Sequence, residues 1–247
     1  MPPNQNFRIF PDIPHSEMVF VKGGRFMMGS DEKDKDTWDD EKPAHPVTVP
    51  DFYIGKYPMT QALWEEVMKS NPSHFKGKNR PVEQVSWNTI TQEFLQKLPE
   101  KGIEGWGYNL PSEAMWEYAT KGGNVSESYK YAGSNDLNEV GWYIKNSHSK
   151  SKPVGLKAPN ELGLYDMSGN VFEWCLDHWH DTYENAPNDG RAWVDVNAEK
   201  NKSRVLRGGS WSNRQRHCRP TYLTYDHSNI ANIFVGFRLV FSFISYK

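Results

Sequence analysis

Beyond Lys121-Gly122-Gly123 the chain carries no further segment with the apolar spacing of a good helix, and this limits its fold more than any other feature. From there the residues run as glycine, aromatic and polar strings. The longest is Gly163-Leu164-Tyr165-Asp166-Met167-Ser168-Gly169-Asn170-Val171-Phe172-Glu173-Trp174, followed by Arg207-Gly208-Gly209-Ser210-Trp211 and Gly236-Phe237-Arg238-Leu239. Such a stretch predicts short strands joined by long loops. Loops of that length inside a compact domain are uncommon, and are usually functional or held by a metal. Hydrophobic residues make up only 37% of the chain, so the core must come from its 10 Trp, 12 Tyr and 12 Phe, which bury more area each than aliphatic residues. The 19 Gly and 16 Pro suit turns.

The first half is more regular. Met18–Met28 alternates apolar and small residues as a strand does and stops at Gly29. Val47-Thr48-Val49 and Phe52-Tyr53-Ile54 predict two short strands around the turn Pro50-Asp51. Thr60 caps a helix over Gln61–Lys69, with Pro72 as its stop. Ser86 caps a second, Asn88–Leu98, with Ile90, Phe94 and Leu98 on one face, and Leu110-Pro111-Ser112 opens a short third. Residues 1–17 are proline-rich and read as an arm or linker, leaving one domain over 18–243 without internal repeats.

Charge excludes some partners. With 29 basic and 31 acidic residues mixed along the chain there is no basic stripe, so nucleic acid is not expected. The cluster Asp31-Glu32-Lys33-Asp34-Lys35-Asp36, continuing to Asp39-Asp40-Glu41, reads as a solvated loop. No apolar run reaches the ~20 residues of a membrane span. The start Met1-Pro2-Pro3-Asn4 lacks the basic and apolar regions of a signal peptide, which points to the cytoplasm if that start is native. Cys175 and Cys218 are the two cysteines; one bridge between them is compatible with the count, a disulfide scaffold is not. His178-Trp179-His180 places two imidazoles on one strand face with no third ligand in sight, and reads as structural.

The three glycine–aromatic strings, in this order after Phe20-Val21-Lys22-Gly23-Gly24-Arg25-Phe26-Met27-Met28-Gly29-Ser30, resemble the formylglycine-generating enzyme (sulfatase-modifying factor) family from about Met18 to Phe241. The resemblance implies an α+β, C-type-lectin-like fold with few short helices and short antiparallel strands. It also implies a structural Ca²⁺ held by Asp166 and Glu173 side chains and the Gly169 and Val171 carbonyls; Ca²⁺ takes 6–8 oxygen ligands, which a tight loop can supply. The residues alone equally allow Asp166 to turn the loop and Glu173 to pair with an arginine. A second calcium site of some relatives does not map onto Asn146-Ser147-His148-Ser149-Lys150.

Catalytic members of that family carry two cysteines, five residues apart, whose thiolates suit Cu(I). Here Asn213 stands at the first position and Cys218 at the second, so no copper and no catalytic residue is expected. The His-x-x-x-His-x-Glu motif of the related non-haem iron sulfoxide synthases is absent from the sequence. The segment from Thr221 to Val235 departs from the family between family-like flanks, and resembles the variable proteins of diversity-generating retroelements. Every residue in it belongs to the set reached by randomising adenines in Asn-type codons. Its mixture of rigid aromatics and short polar groups is also paratope chemistry. The resemblance therefore implies a ligand-binding surface at about 212–234: Ser212, Asn213, Arg214, Arg216, His217, Tyr222, Thr224, Tyr225, Asp226, His227, Asn229, Asn232 and Phe234. A protein or surface ligand is the expected partner, at a cell surface or on a phage particle, with Tyr222, Tyr225, His227, Asn229 and Asn232 exposed together.

Overall fold

The alternation of Met18–Met28 breaks at Lys22-Gly23, and the chain turns there into two strands of different sheets. They are β2 (Glu17–Val21) and β3 (Gly24–Met28) in the computed structural model, which describes residues 5–33, 35–100, 102–195 and 202–243. β3 pairs antiparallel with β4 (His45–Val49) in a two-stranded ribbon. β2 joins a five-stranded antiparallel sheet in the order β1-β2-β5-β11-β6, built from β1 (Phe7–Arg8), β5 (Phe52–Gly55), β6 (Trp106–Asn109) and β11 (Val240–Phe243). The segment expected to be an arm is therefore part of the sheet. Phe7 pairs with Met18, and its ring meets Tyr53 at 5.1 Å, because an apolar edge residue gains more by covering aromatics than by standing in water. The first four residues of that segment, like Asp34 of the acidic cluster, lie outside the described residues.

The capped helices form where their caps stand. Thr60 accepts from Leu63 N ahead of α1 (Gln61–Met68), and Ser112 from Met115 N ahead of α3 (Glu113–Thr120). Ser86 caps α2 (Trp87–Thr89), which continues through a π turn at Ile90–Phe94 and a 3-10 turn at Leu95–Lys97. The wider turn lets Ile90 and Phe94 both reach the core. Phe94 lies flat on Trp64 at 5.0 Å, and both rings meet Phe237 edge-on. After α3 there is only one further short α-helix among the described residues, α4 (Leu137–Val140).

The long loops close around a second, four-stranded sheet in the order β10-β7-β8-β9. Its strands are β7 (Phe172–His178), β8 (Ser203–Arg207), β9 (Leu223–His227) and β10 (Val235–Gly236), with β10 parallel to β7. α3 is buried along its whole length, and one of its side chains anchors the start of β7. Trp116 Nε1 donates to Glu173 Oε2 at 2.7 Å. The same carboxylate receives Arg238 Nε at 2.6 Å and Nη2 at 2.8 Å, while the other Arg238 donors reach the carbonyls of Gly55 and Tyr165. Both members are fully buried. Arg238→Leu should strand the Glu173 charge and cost about 3–5 kcal/mol of unfolding free energy in urea titrations. Adding Glu173→Gln should recover part of that loss, and a simply additive double variant would show that the two residues are not coupled.

Candidate functional site

Two turns fix the backbone around Asn213 and Cys218. Gly209 has φ of 74°, and a Cβ there would lie 2.6 Å from the His217 carbonyl oxygen and 2.8 Å from Cys218 Sγ, so only glycine lets the two walls approach. Asn213 turns inward: its Oδ1 accepts from Ser210 N at 3.0 Å and Ser210 Oγ at 2.5 Å. Cys218 is fully buried, and burial pushes its thiol up to about 12, so it is a protonated sulfur in contact with the Arg214 carbonyl at 3.9 Å. Cys175 and Cys218 are both free and sit in separate core clusters. A soft, two-thiolate metal site is not what this corner offers.

The expected binding residues come to one side of the molecule but not onto one flat face. Along edge strand β9 side chains alternate, which puts Tyr225 and His227 on one side and Thr224 and Asp226 on the other. Tyr225 is 51% exposed and rests on Trp179 at 4.6 Å; His227 and Asn229 are exposed and hydrogen-bonded at 2.6 Å. Asp226 is half-buried and accepts from Asn232 Nδ2, while Asn232 caps Phe234 N. Thus three of the five residues expected to stand in solvent together do so, and Tyr222 and Asn232 are half-buried instead.

Tyr222 is covered by a residue that sequence reasoning left in a solvated loop. Trp38 meets it at 5.2 Å, stacks on His217 at 5.6 Å and lies under the exposed Arg216 guanidinium. Nearby Glu41 is fully buried and holds Arg219 through both oxygens at 2.7 and 2.8 Å, with Thr221 Oγ1 at 2.6 Å. The acidic run is therefore solvated at Asp31–Glu32 and docked at its end. A tryptophan in the middle of a charged run was the available signal. On the other flank Trp211 contacts Phe75 at 5.5 Å and Phe234 at 5.0 Å, beside half-buried Ser212 and exposed Arg214.

The loop expected to hold calcium is tight. Gly169 has φ of 97°, and a Cβ there would lie 2.3 Å from the Trp142 carbonyl oxygen. Asp166, itself left-handed at φ 58°, accepts from Gly155 N at 2.8 Å and Asn170 Nδ2 at 3.2 Å. All four carboxylate oxygens of Asp166 and Glu173 thus have protein donors. The turn-forming and arginine-pairing roles are the ones these side chains play here. The charges differ: Glu173 has Arg238, whereas fully buried Asp166 has no ion pair among the described residues. Burial pushes its carboxyl up to about 6, and the Glu173 charge adds to the push. The donor set therefore suits a cation at Asp166 better than at Glu173. His178 is buried and accepts from Asp195 N, His180 stacks on Trp193, and no group of three or more His, Cys, Asp or Glu suited to a metal occurs among the described residues.

These features define a C-type-lectin-like domain whose glycine-turned loops surround a corner with one protonated thiol. The Sulfatase-modifying factor enzyme 1-like domain model matches residues 5–243, and the chain belongs to that family, the one its motifs resemble. It is similar to the chaperone protein LppX of Paenibacillus barcinonensis, 36% identical over 79% of this chain and 78% of the relative. Among solved structures it resembles PvdO from Pseudomonas aeruginosa, at 26% identity and TM-score 0.83 over 98% of this chain and 99% of that one. It also resembles Treponema denticola variable protein 1, at 27% identity and TM-score 0.74 over 97% and 99%. The chain spans 38% of the length of the Pkn1 kinase relatives of Chlamydia trachomatis and Chlamydia caviae that it also matches.

The frame under this corner contains a buried carboxyl that should respond to pH. Glu113 is fully buried, and burial pushes its carboxyl up to about 8 against the pull of Arg207 at 3.5 Å, with Asp177 adding to the push. Its folded value lies above the unfolded one, so its contribution is complete in acid and is lost as pH rises through about 8. The melting temperature should fall between about pH 4.5 and about pH 8, and Glu113→Gln should flatten that slope. A wild-type curve that rises over this range would contradict it.

Proposed function

We propose that this chain is a non-catalytic ligand-binding protein that presents residues 212–234 on a C-type-lectin-like frame, in the manner of a variable protein of a diversity-generating retroelement. The observation that carries the reading is a contrast within one continuous segment. Both ends are pinned by buried arginines, while Tyr225, His227, Asn229 and Ile230 between them are exposed. Aromatic and short polar side chains on a fixed backbone suit recognition, since little entropy is lost on contact. The likeness to Treponema denticola variable protein 1 supports the same reading. An oxidase of the formylglycine-generating type has less behind it, because an inward amide at 213 and a protonated thiol at 218 cannot act as a bis-thiolate copper site.

The frame must then tolerate change. Alanine at Tyr225, His227 and Asn229 should each shift stability by less than about 0.5 kcal/mol, while Tyr222→Ala, which strips Trp38 and His217 of a ring, should cost about 1 kcal/mol. A phage-displayed library randomised at Tyr222, Tyr225, His227, Asn229 and Asn232 should yield clones that bind immobilised serum albumin. A library in which most members fail to fold would end the display reading.

The same reading includes a structural Ca²⁺ at Asp166, with the Gly169 and Val171 carbonyls and Glu173 as further ligands. The ion would neutralise a buried carboxylate that has no ion pair among the described residues. A cation bound only by the folded state stabilises it by mass action. EDTA should lower the melting temperature of the wild type and leave Asp166→Asn unaffected; a wild type indifferent to EDTA and to added Ca²⁺ would remove the ion.

A further inference from the structure

Among the stretches of the sequence that contain no Asp or Glu are 69–82, 141–160 and 203–225. The chain as a whole has slightly more acidic than basic residues, so these gaps are not a consequence of a basic composition. The fold joins the three pairwise. Val154 N donates to the Asn79 carbonyl at 2.8 Å, Ile144 N to the Asn213 carbonyl at 3.0 Å, and the rings of Phe75 and Trp211 meet at 5.5 Å. Ser147 Oγ adds a 2.7 Å bond to the Trp211 carbonyl. What the linear sequence scatters becomes one basic rim, beside the Trp211 flank of the displayed surface.

Arg207 and Arg219 of these stretches are held by buried carboxylates and Lys69 by Glu66, but six other cations have no ion-pair partner among the described residues. Lys76, Lys78, Lys150 and Arg214 are exposed, Arg80 and Lys152 are half-buried, and none makes an ion pair among the described residues. Arg80 Nη1 is buried without an acceptor there, as is Ser151 Oγ. Burial and the charges of Lys150 and Arg80 hold the Lys152 ammonium below its usual range, a crowding of like charges that an anion would relieve. Inside the rim, half-buried Phe75, Phe234 and Ile233 surround nearly buried Trp211. On the Tyr222 side the charges are mixed: Asp36, Asp39 and Asp40 flank Trp38 in the sequence, with Arg216 over its ring and Lys42 beside Asp39.

We infer that the displayed surface takes an acidic polypeptide segment, its carboxylates on the Lys78–Arg80, Lys150–Lys152 and Arg214 rim and an apolar side chain over Phe75 and Phe234. The inference rests on the display reading of the same surface. Nucleic acid fits less well, because base stacking needs a free ring face and the Trp211 ring is covered by its two neighbours. The rim would steer such a segment to the surface.

The test is fluorescence polarisation of the full chain with a short fluorescein-labelled peptide of alternating glutamate and leucine. Binding is expected, weakening as salt rises. The triple variant Lys78→Glu, Lys150→Glu, Arg214→Glu should bind about tenfold more weakly or worse with an unchanged melting temperature, since all three side chains are exposed. A variant that binds as the wild type does would overturn the inference. So would dextran sulfate or single-stranded DNA competing as strongly as the unlabelled peptide. A variant with alanine at Tyr222, Tyr225, His227, Asn229 and Asn232 separates the two readings. If it keeps the acidic peptide, the rim stands and only the display reading falls; if the wild type binds no acidic peptide, the rim falls alone.

Discussion

Arg238 buried against Glu173 is the interaction on which the rest of the structure leans. Its five-donor fork joins the start of β7, the end of β5, the Tyr165 turn and, through the shared carboxylate, Trp116 of the buried helix α3. Few helices cross this half of the molecule, so segments far apart in sequence are held by side chains that reach between them. Arg207 does the same for the neighbouring wall, pairing with Glu117 and donating to the carbonyls of Pro220 and Thr221. Arg219 with Glu41 closes the third side. Buried ion pairs are poor sources of net stability, because desolvation offsets much of the attraction, but losing one partner is severe. Such pairs make the arrangement unforgiving of alternatives, which is what a loop-built frame requires.

That framework explains why a segment as unlike its flanks as 221–234 does not disturb the fold. Before it, the backbone is fixed by the arginine donors at 220 and 221 and by the turn at Gly209. After it, Val235 and Gly236 pair in parallel with Phe172 and Glu173, and Arg238 is locked. In between, β9 is an edge strand with one backbone neighbour, and most of its side chains reach solvent at least in part. The constraints lie in backbone bonds and buried arginines rather than in the identity of the residues presented.

Much of this was legible in the sequence where the information is local. Thr60, Ser86 and Ser112 announce their helices because a cap acts within three residues, and the glycine–aromatic strings mark turns whose φ values only glycine takes easily. The rest required distance. Nothing near Trp38 and Glu41 reveals that their partners are His217, Tyr222 and Arg219, the last 178 residues away. The two sides of β9 could not be told apart beforehand, because Thr224, Tyr225, Asp226 and His227 carry no apolar alternation to mark a buried face. Phe7 belongs to the sheet on account of Tyr53 and Phe241, which a local reading of a proline-rich stretch cannot supply.

The corner at 213 and 218 shows how separable frame and chemistry are. Gly209 makes room for Cys218, and Arg207 and Arg219 fix the strands on either side, whatever stands at position 213. With a thiol at 213, that frame would bring two sulfurs to one loop. With asparagine, the amide closes onto Ser210 and the turn becomes self-sufficient in hydrogen bonds. A buried, protonated thiol whose contact is the Arg214 carbonyl then packs as a small apolar side chain. With one sulfur at this corner instead of two, Gly209 and the flanking arginines still set the backbone on which 221–234 are carried.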